Sequence, residues 1–346
     1  MFNKNLKYYR LKSNLNMTQL AEKTGLTKMA ISYYEKGERT PDMDTLKKLA
    51  DALNIKVIDF MLLRSDKLEF QHGAFRKNTK LNKSKQEFMR EEIEEYFNRF
   101  YNIVNILGES ALPKAPRFGV LKLSDNDEEN ALKLRILLKL SAEGPIGNLV
   151  NIIENNGILV YQHLVDGRFY SGMNGSINSR PYISVNSSMS AERQRFTIAH
   201  ELAHVFFDWS SVKDEALCEK KSNLIAGSFL FPKIDAFREL GLKRRALSGD
   251  LKITSEEYGI SVQCLAYRAR ELKIINEGAY REFNILISRL GWRVSEPSRI
   301  KGEVSNLFRQ FVYRAIAEGE ISIQKGAELL RVTFDDVESS LLCGGH

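Results

Sequence analysis

A chain of 346 residues, 43% hydrophobic and 27% charged, has the composition of a globular protein and the length of two or three domains. No window reaches the roughly 18 consecutive apolar residues of a membrane-spanning helix, and MFNKNLKYYRLKSNLN lacks the apolar core of a signal peptide; a cytoplasmic protein with no membrane partner is expected. Cys218, Cys264 and Cys343 are scattered without a CxxC pair, which argues against both a disulfide framework and a cysteine-rich zinc site.

The net charge of +7 is uneven. Residues 1–64 carry 12 Lys+Arg against 7 Asp+Glu, and residues 65–90 carry 7 against 3. The first 90 residues thus hold +9 and the other 256 hold −2, which points to a polyanion partner for the N-terminal part.

That part reads as short amphipathic helices. Leu6, Tyr9, Arg10 and Leu11 mark the first, and Thr18 is the expected N-cap of a second over 19–23 with Leu20 and Ala21 inward. Gly25 supplies the turn. Thr27 caps a third helix over 28–34 that buries Ile31, and Pro41 and Asp42 precede a fourth with Leu46, Leu49, Ala50 and Leu53 inward.

The stretch MTQLAEKTGLTKMAISYYEKGERTPDMDTLKKLADALNI resembles the helix-turn-helix of the XRE (Cro and phage-repressor) family. Gln-x-x-Leu-Ala, Gly-Leu-Thr, Ile-Ser-x-x-Glu-x-Gly and Pro occur in order. The resemblance implies that the third helix enters the major groove of double-stranded operator DNA. Lys28, Met29, Ser32 and Tyr33 would then face base edges, and Gln19, Lys36 and Arg39 would hold phosphates. A homodimer on a palindromic site is expected. The competing reading is a protein-interaction bundle.

Residues 65–110 start as a basic linker, FRKNTKLNKSK. They continue as one long amphipathic helix with Phe88, Ile93, Phe97, Phe100, Ile103, Val104 and Leu107 at three- and four-residue spacing. The aromatic stripe reads as core or dimer packing.

The chemical centre lies in 193–232. His200, Glu201 and His204 form HELAH. On a helix, residues four apart share a face, so both imidazoles can reach one metal ion. Glu201 projects beside that ion, where it can take a proton from water. The motif sits in an apolar run, Phe196, Ile198, Ala199, Leu202, Ala203, Phe206 and Phe207, and uses two of the chain's five histidines. Buried imidazoles need partners, and a metal supplies them. A third ligand has five candidates: Asp208, Asp214, Glu215, Cys218 and Glu219. Asp208 falls one turn beyond His204. Glu219 lies in the first turns of a second helix, 215–230, with Leu217, Leu224, Ile225 and Phe229 expected inward.

RFTIAHELAH followed by Glu-x-x-x-Asn and an apolar run ending in Phe-Pro resembles the ImmA/IrrE family of metallopeptidases. The resemblance implies zinc (Zn2+) on His200, His204 and Glu219, Asn223 as the motif asparagine, and Glu201 as catalytic base. Ala203 stands where that family usually has Gly, and Asp208 where a His is common. Asp208 therefore stays a minor rival ligand.

Around the motif, 130–140 reads as a helix, and 158–161 and 182–185 as short strands. His163 is expected to be structural, with substrate binding as the alternative. Beyond 233, SEEYGISVQCLAYRARELKII has helix-turn-helix cadence with Gly259 as turn and Ser261 as cap. Arg268 and Arg270 there serve either DNA or packing. Residues 304–318 and 323–330 form a helical hairpin, followed by a short helix. No nucleotide-binding glycine loop and no Ser/His/Asp order of a serine hydrolase is present.

The expected architecture is mainly α with a small β-sheet (α+β). It comprises an N-terminal helix-turn-helix bundle (1–64), a linker and long helix (65–110), a zincin-like metallopeptidase core (111–240) and a C-terminal helical region (241–346). The implied function is a DNA-binding regulator with a zinc endopeptidase that cleaves a separate XRE-type repressor, a toxin–antitoxin partner or its own linker. This would control phage, mobile-element or stress genes. The rival is a non-proteolytic repressor or antitoxin whose metal is structural or sensory. Glu201 separates the two, because a structural site needs ligands but no base.

Overall fold

The computed structural model describes residues 1–62, 64, 67–73, 82–165 and 170–342. The fold is α+β and mainly helical. The described residues fall into two compact units. One takes residues of 1–70, 82–111 and 307–342, the other residues 71–73 and those of 112–306.

In the first unit, helices Phe2–Lys12, Met17–Thr24, Lys28–Lys36 and Met43–Leu53 close on Leu6, Leu20, Ile31 and Leu49, with Phe60 beneath them. Each boundary has a local cause. The second helix starts at Asn16, earlier than the expected cap Thr18, because Asn16 and Gln19 form a reciprocal capping box that satisfies two orphan amides at once. Thr27 accepts from Ala30 N and Asp42 from Thr45 N. Gly25 and Gly37 end the second and third helices with φ of 68° and 76°, where a Cβ would be strained. Arg10 forks onto Glu35, with Nη2 to Oε2 at 2.8 Å. Both side chains are buried, so this pair ties the first helix to the third.

The long helix runs Lys83–Leu107, and Asn82 caps it through Lys85 N. Residues 74–81, most of the basic linker, lie outside the described residues. The apolar stripe of the long helix packs on the helices Leu307–Ala317 and Ile323–Leu330, and Phe334–Leu342 packs on the second of these. Phe100 meets Phe308 edge-on at 5.6 Å and stacks on Phe311 at 5.9 Å. Arg331 donates to Tyr8 Oη at 2.9 Å and to Glu95 Oε1 at 2.7 Å, which joins segments far apart in sequence within this unit.

Among the described residues of the second unit, strands β1 (Phe70–His72, with Gln71 and His72 in this unit), β2 (Leu121–Lys122), β3 (Leu159–His163), β4 (Gly172–Ile177), β5 (Arg180–Asn186) and β6 (Phe207–Asp208) make two sheets. One has the order β1-β4-β5-β3, and the other pairs β2 with β6. β3 and β5 are parallel, with Leu159 opposite Tyr182; β4 and β5 are antiparallel, with Gly175 opposite Tyr182. Asn178 and Ser179, both at positive φ (48° and 64°), form the two-residue hairpin, the geometry that matches strand twist. β4 was not expected from the sequence. GMNGSI has two glycines and one β-branched residue, too weak a strand signal.

Helix Ala191–Phe206 lies over this sheet and Glu215–Leu230 packs against that helix, with Asp127–Leu137 beside the latter. The core holds Ile183, Val185, Ile198, Ala199, Leu202, Ala203, Ile225 and Phe229, each no more than 1% exposed. Gly172 explains how closely the first helix approaches β4, since a Cβ there would lie 2.6 Å from Thr197. The expected helix 130–140 is Asp127–Leu137, set by its Asn126 cap.

Candidate metal centre and DNA-reading helix

The helix Ala191–Phe206 begins at Ser190, whose side chain accepts from Arg193 N. It carries His200 and His204 on one face, with Nε2 atoms 3.0 Å apart. From the neighbouring helix Glu215–Leu230, capped by Asp214, the Glu219 carboxylate reaches across. Its oxygens stand 3.2 Å from His204 Nε2 and 3.6 Å from His200 Nε2.

Among the described residues, His200, His204 and Glu219 are the His/Cys/Asp/Glu group whose ligand atoms all lie within 4.8 Å of one another. Two donors about 2.0–2.1 Å from one tetrahedral zinc would be about 3.3 Å apart, and the three observed separations bracket that value. The donor set therefore fits zinc. His200 is 1% exposed, His204 21% and Glu219 30%. The cluster thus has a closed side and a side open to solvent.

Glu201 is buried at 5% exposure, and its Oε2 accepts from Asn174 Nδ2 at 2.7 Å. Asn174 belongs to β4, so the unrecognised strand supplies the group that orients this carboxylate. The sequence signal was slight: one asparagine between glycines. Trp209 donates to Ala203 O at 3.2 Å and its ring lies 5.7 Å from His204, walling the centre with an indole. Ala203 is fully buried within an unbroken helix, so a methyl is accommodated there.

Three of the other third-ligand candidates, Asp208, Asp214 and Cys218, are placed elsewhere. The HELAH helix ends at Phe206, and Asp208 pairs with Lys122 in the β2–β6 ladder. Its exposed carboxylate accepts from Ser210 N at 3.0 Å, a bond that holds it below the usual carboxylate range. Asp208 therefore does not stay on the face of His204. Asp214 is spent as a cap, and Cys218 turns its Sγ to Val212 O at 3.7 Å. Leu217, expected inward, is 41% exposed, because the helix buries a face centred on Ile225 and Phe229. Asn223 is exposed.

His163 is 3% exposed between the rings of Tyr161 and Tyr170, at 5.0 and 5.2 Å. Arg268, 1% exposed, donates to Phe231 O and to Glu271 and Glu128. Its alternative as a DNA contact is thereby lost to packing. Arg270 lies over the Tyr267 and Tyr280 rings at 4.7 and 4.4 Å.

On the helix-turn-helix, Lys28, Met29, Lys36 and Arg39 are exposed, and Ser32 and Tyr33 are half-buried. Arg39 covers the Tyr33 ring at 4.9 Å. The Gln19 side-chain oxygen accepts from Asn16 N at 2.9 Å, so only its amide NH2 is left to point outward. Lys28 lies at the helix N-terminus, where the major-groove geometry puts base-reading side chains.

Comparison with known proteins agrees with this division. A family model described as Helix-turn-helix matches residues 6–60, and one described as IrrE N-terminal-like domain, of the Peptidase M78 family, matches residues 154–270. The HTH-type transcriptional regulator YqaE of Bacillus subtilis (strain 168) is 37% identical over 75 residues, covering 21% of this chain and 64% of that protein. An HTH-type transcriptional regulator of Methanocaldococcus jannaschii is 36% identical over 61 residues, covering 18% of this chain and 92% of that protein. The chain thus belongs to the XRE-type helix-turn-helix transcriptional regulators, and carries with that DNA-binding module an IrrE-like domain of the M78 peptidase family.

Proposed function

We propose that this regulator is a zinc-dependent endopeptidase that cuts a repressor-type protein. His200, His204 and Glu219 hold the metal, and Glu201 acts as base. The observation that carries the reading is the near-tetrahedral spacing of three donors from two helices, open on one side, with a buried carboxylate one residue from the first donor. Bound zinc lowers the pKa of water toward ~7 and polarises a carbonyl.

The chain's own groups do the rest. Asn174 holds Glu201 through Oε2, and the carboxylate takes a proton from water and passes it to the leaving amine. The closed side of the cluster keeps His200 from solvent. Lys28, Met29, Ser32 and Tyr33 read the operator, and Gln19, Lys36 and Arg39 hold phosphates, in a homodimer. The substrate is a separate XRE-type repressor or a toxin–antitoxin partner. Cleavage lifts repression of phage, mobile-element or stress genes.

Glu201→Gln tests the reading. It leaves all three donors in place, so zinc content should stay near one per chain. Cleavage of a partner repressor should fall ~10²–10⁴-fold while operator binding persists. A regulatory phenotype that follows zinc occupancy but ignores Glu201→Gln would instead make the metal structural or sensory.

A further inference from the structure

The stretch between the helix-turn-helix and the long helix contains three residues, 71–73, that group with the IrrE-like unit although the described chain before and after them belongs to the other. They form the outer position of the larger sheet, next to β4. Gly73 N donates to Asn174 O at 2.8 Å, and the side chain of the same Asn174 donates to Glu201 at 2.7 Å. One residue therefore separates the linker backbone from the buried carboxylate of the HELAH motif. The fit is close on both strands. A Cβ on Gly73 would lie 2.8 Å from Asn174 O, and a Cβ on Gly175 would lie 2.5 Å from Gln71 O. His72 Nδ1 and Tyr182 Oη meet at 2.6 Å, which anchors the segment on β5.

A sheet edge beside a peptidase carboxylate accepts an extended peptide by backbone pairing, with side-chain identity secondary. Here that edge is already taken. We propose that the linker strand, residues 71–73, is a built-in competitor that holds the β4 edge beside Glu201, so that an extended peptide reaches the site only by displacing it. The inference rests on the reading of the HELAH cluster as a peptidase site. A three-residue strand has few backbone bonds, but its tether keeps it at an effective concentration on the ~mM scale. A substrate must therefore outcompete it, and any event that pulls the linker away raises access. The same chain carries the DNA-binding module just ahead of this strand, so linker displacement is a route by which the regulatory half can control the other.

The test uses the full chain, without metal and with zinc, and a fluorescent peptide of sequence KLEFQHG, residues 67–73. Gly73→Val places a branched side chain against the fixed Asn174 carbonyl and should dislodge the strand. Peptide affinity by anisotropy should rise roughly tenfold or more, the gain expected when the open state goes from a few per cent populated to dominant. Hydrogen exchange should quicken at residues 71–73 and stay unchanged in Ala191–Phe206. Equal affinity in both proteins, with that helix still protected, overturns the proposal.

If the variant loses helix protection, the wild type decides. Peptide at about 1 mM, the concentration scale of the tether, should accelerate exchange at 71–73, and unchanged exchange overturns the proposal. Neither readout needs turnover. A protein that binds the peptide this way yet never cleaves would refute the peptidase reading and leave the competitor standing. One that binds zinc and cleaves without strand displacement would do the reverse.

Discussion

At the residue scale, the centre depends on which carboxylate completes the histidine pair. His200 and His204 were legible because helix geometry alone puts residues four apart on one face. Glu219 was one of five candidates from the residues alone and was singled out by the family resemblance, and the packing of two helices brings its oxygens within 3.6 Å of both imidazoles. The ordering of variants follows. His200→Ala and His204→Ala should each abolish stoichiometric zinc, since two protein donors do not make a stable site. Glu219→Ala should weaken it strongly, and Asp208→Ala should leave it full. Zinc per chain by elemental analysis checks this; a site emptied by Asp208→Ala and kept by Glu219→Ala would reverse the assignment. Asn174 was not legible at all, because no local rule links a strand asparagine to a glutamate 27 residues later.

At the element scale, the helices were easier to read than the strands. Helix caps are short-range devices: Thr27 and Ser261 cap as their sequence positions suggest, and Asp42, expected only to precede the fourth helix, caps it. Asn16 was missed because Thr18 offered an equally good side chain, and the reciprocal bond with Gln19 decided between them. β4 was missed because its glycines serve close approach of Thr197 and Tyr182 and carry no strand propensity.

Two predictions belong here. On the third helix, Lys28→Ala or Ser32→Ala should reduce discrimination between operator and random DNA. Lys36→Ala or Arg39→Ala should weaken both and lower the salt slope by roughly one ion each. Equal loss of both affinities in all four variants would refute this division of labour. After the helix Glu277–Arg289, burial and the nearby Glu192 carboxylate raise Glu296 to about 7. An unfolded glutamate titrates near about 4.3. The folded chain therefore holds this proton more tightly. The group's contribution is complete below about pH 4.3 and is lost as pH rises toward 7. Glu296→Gln should accordingly gain thermal stability relative to wild type across that interval. A difference in unfolding temperature that stays constant with pH would contradict it.

At the scale of the whole molecule, segments far apart in sequence meet within one unit. Tyr8, Glu95 and Arg331 form one linked group, so the helix-turn-helix is supported by the long helix and by residues 307–342 within one unit. Arg331→Ala should lower the stability of that unit by ~1–3 kcal/mol, the cost of removing a donor from buried Tyr8 and from Glu95, which keeps Arg99. A fragment of residues 1–64 should be less stable than the same segment in the full chain. Chemical denaturation followed at the aromatic residues would measure both, and an unchanged midpoint for Arg331→Ala would show the group to be incidental.

The sequence by itself determined what depends on short separations: the helix-turn-helix, the HELAH pair, the caps Thr27 and Ser261, and the α+β class. Tertiary structure alone decided the approach of Glu219 to the two imidazoles, the part played by Asn174, the union of residues 307–342 with the N-terminal helices, and the insertion of residues 71–73 at the sheet edge. The reason is physical. Periodicity and capping act within a few residues and leave a local signature. Contacts between segments 27 to 323 residues apart depend on how apolar faces close over one another, and no local pattern encodes that closure.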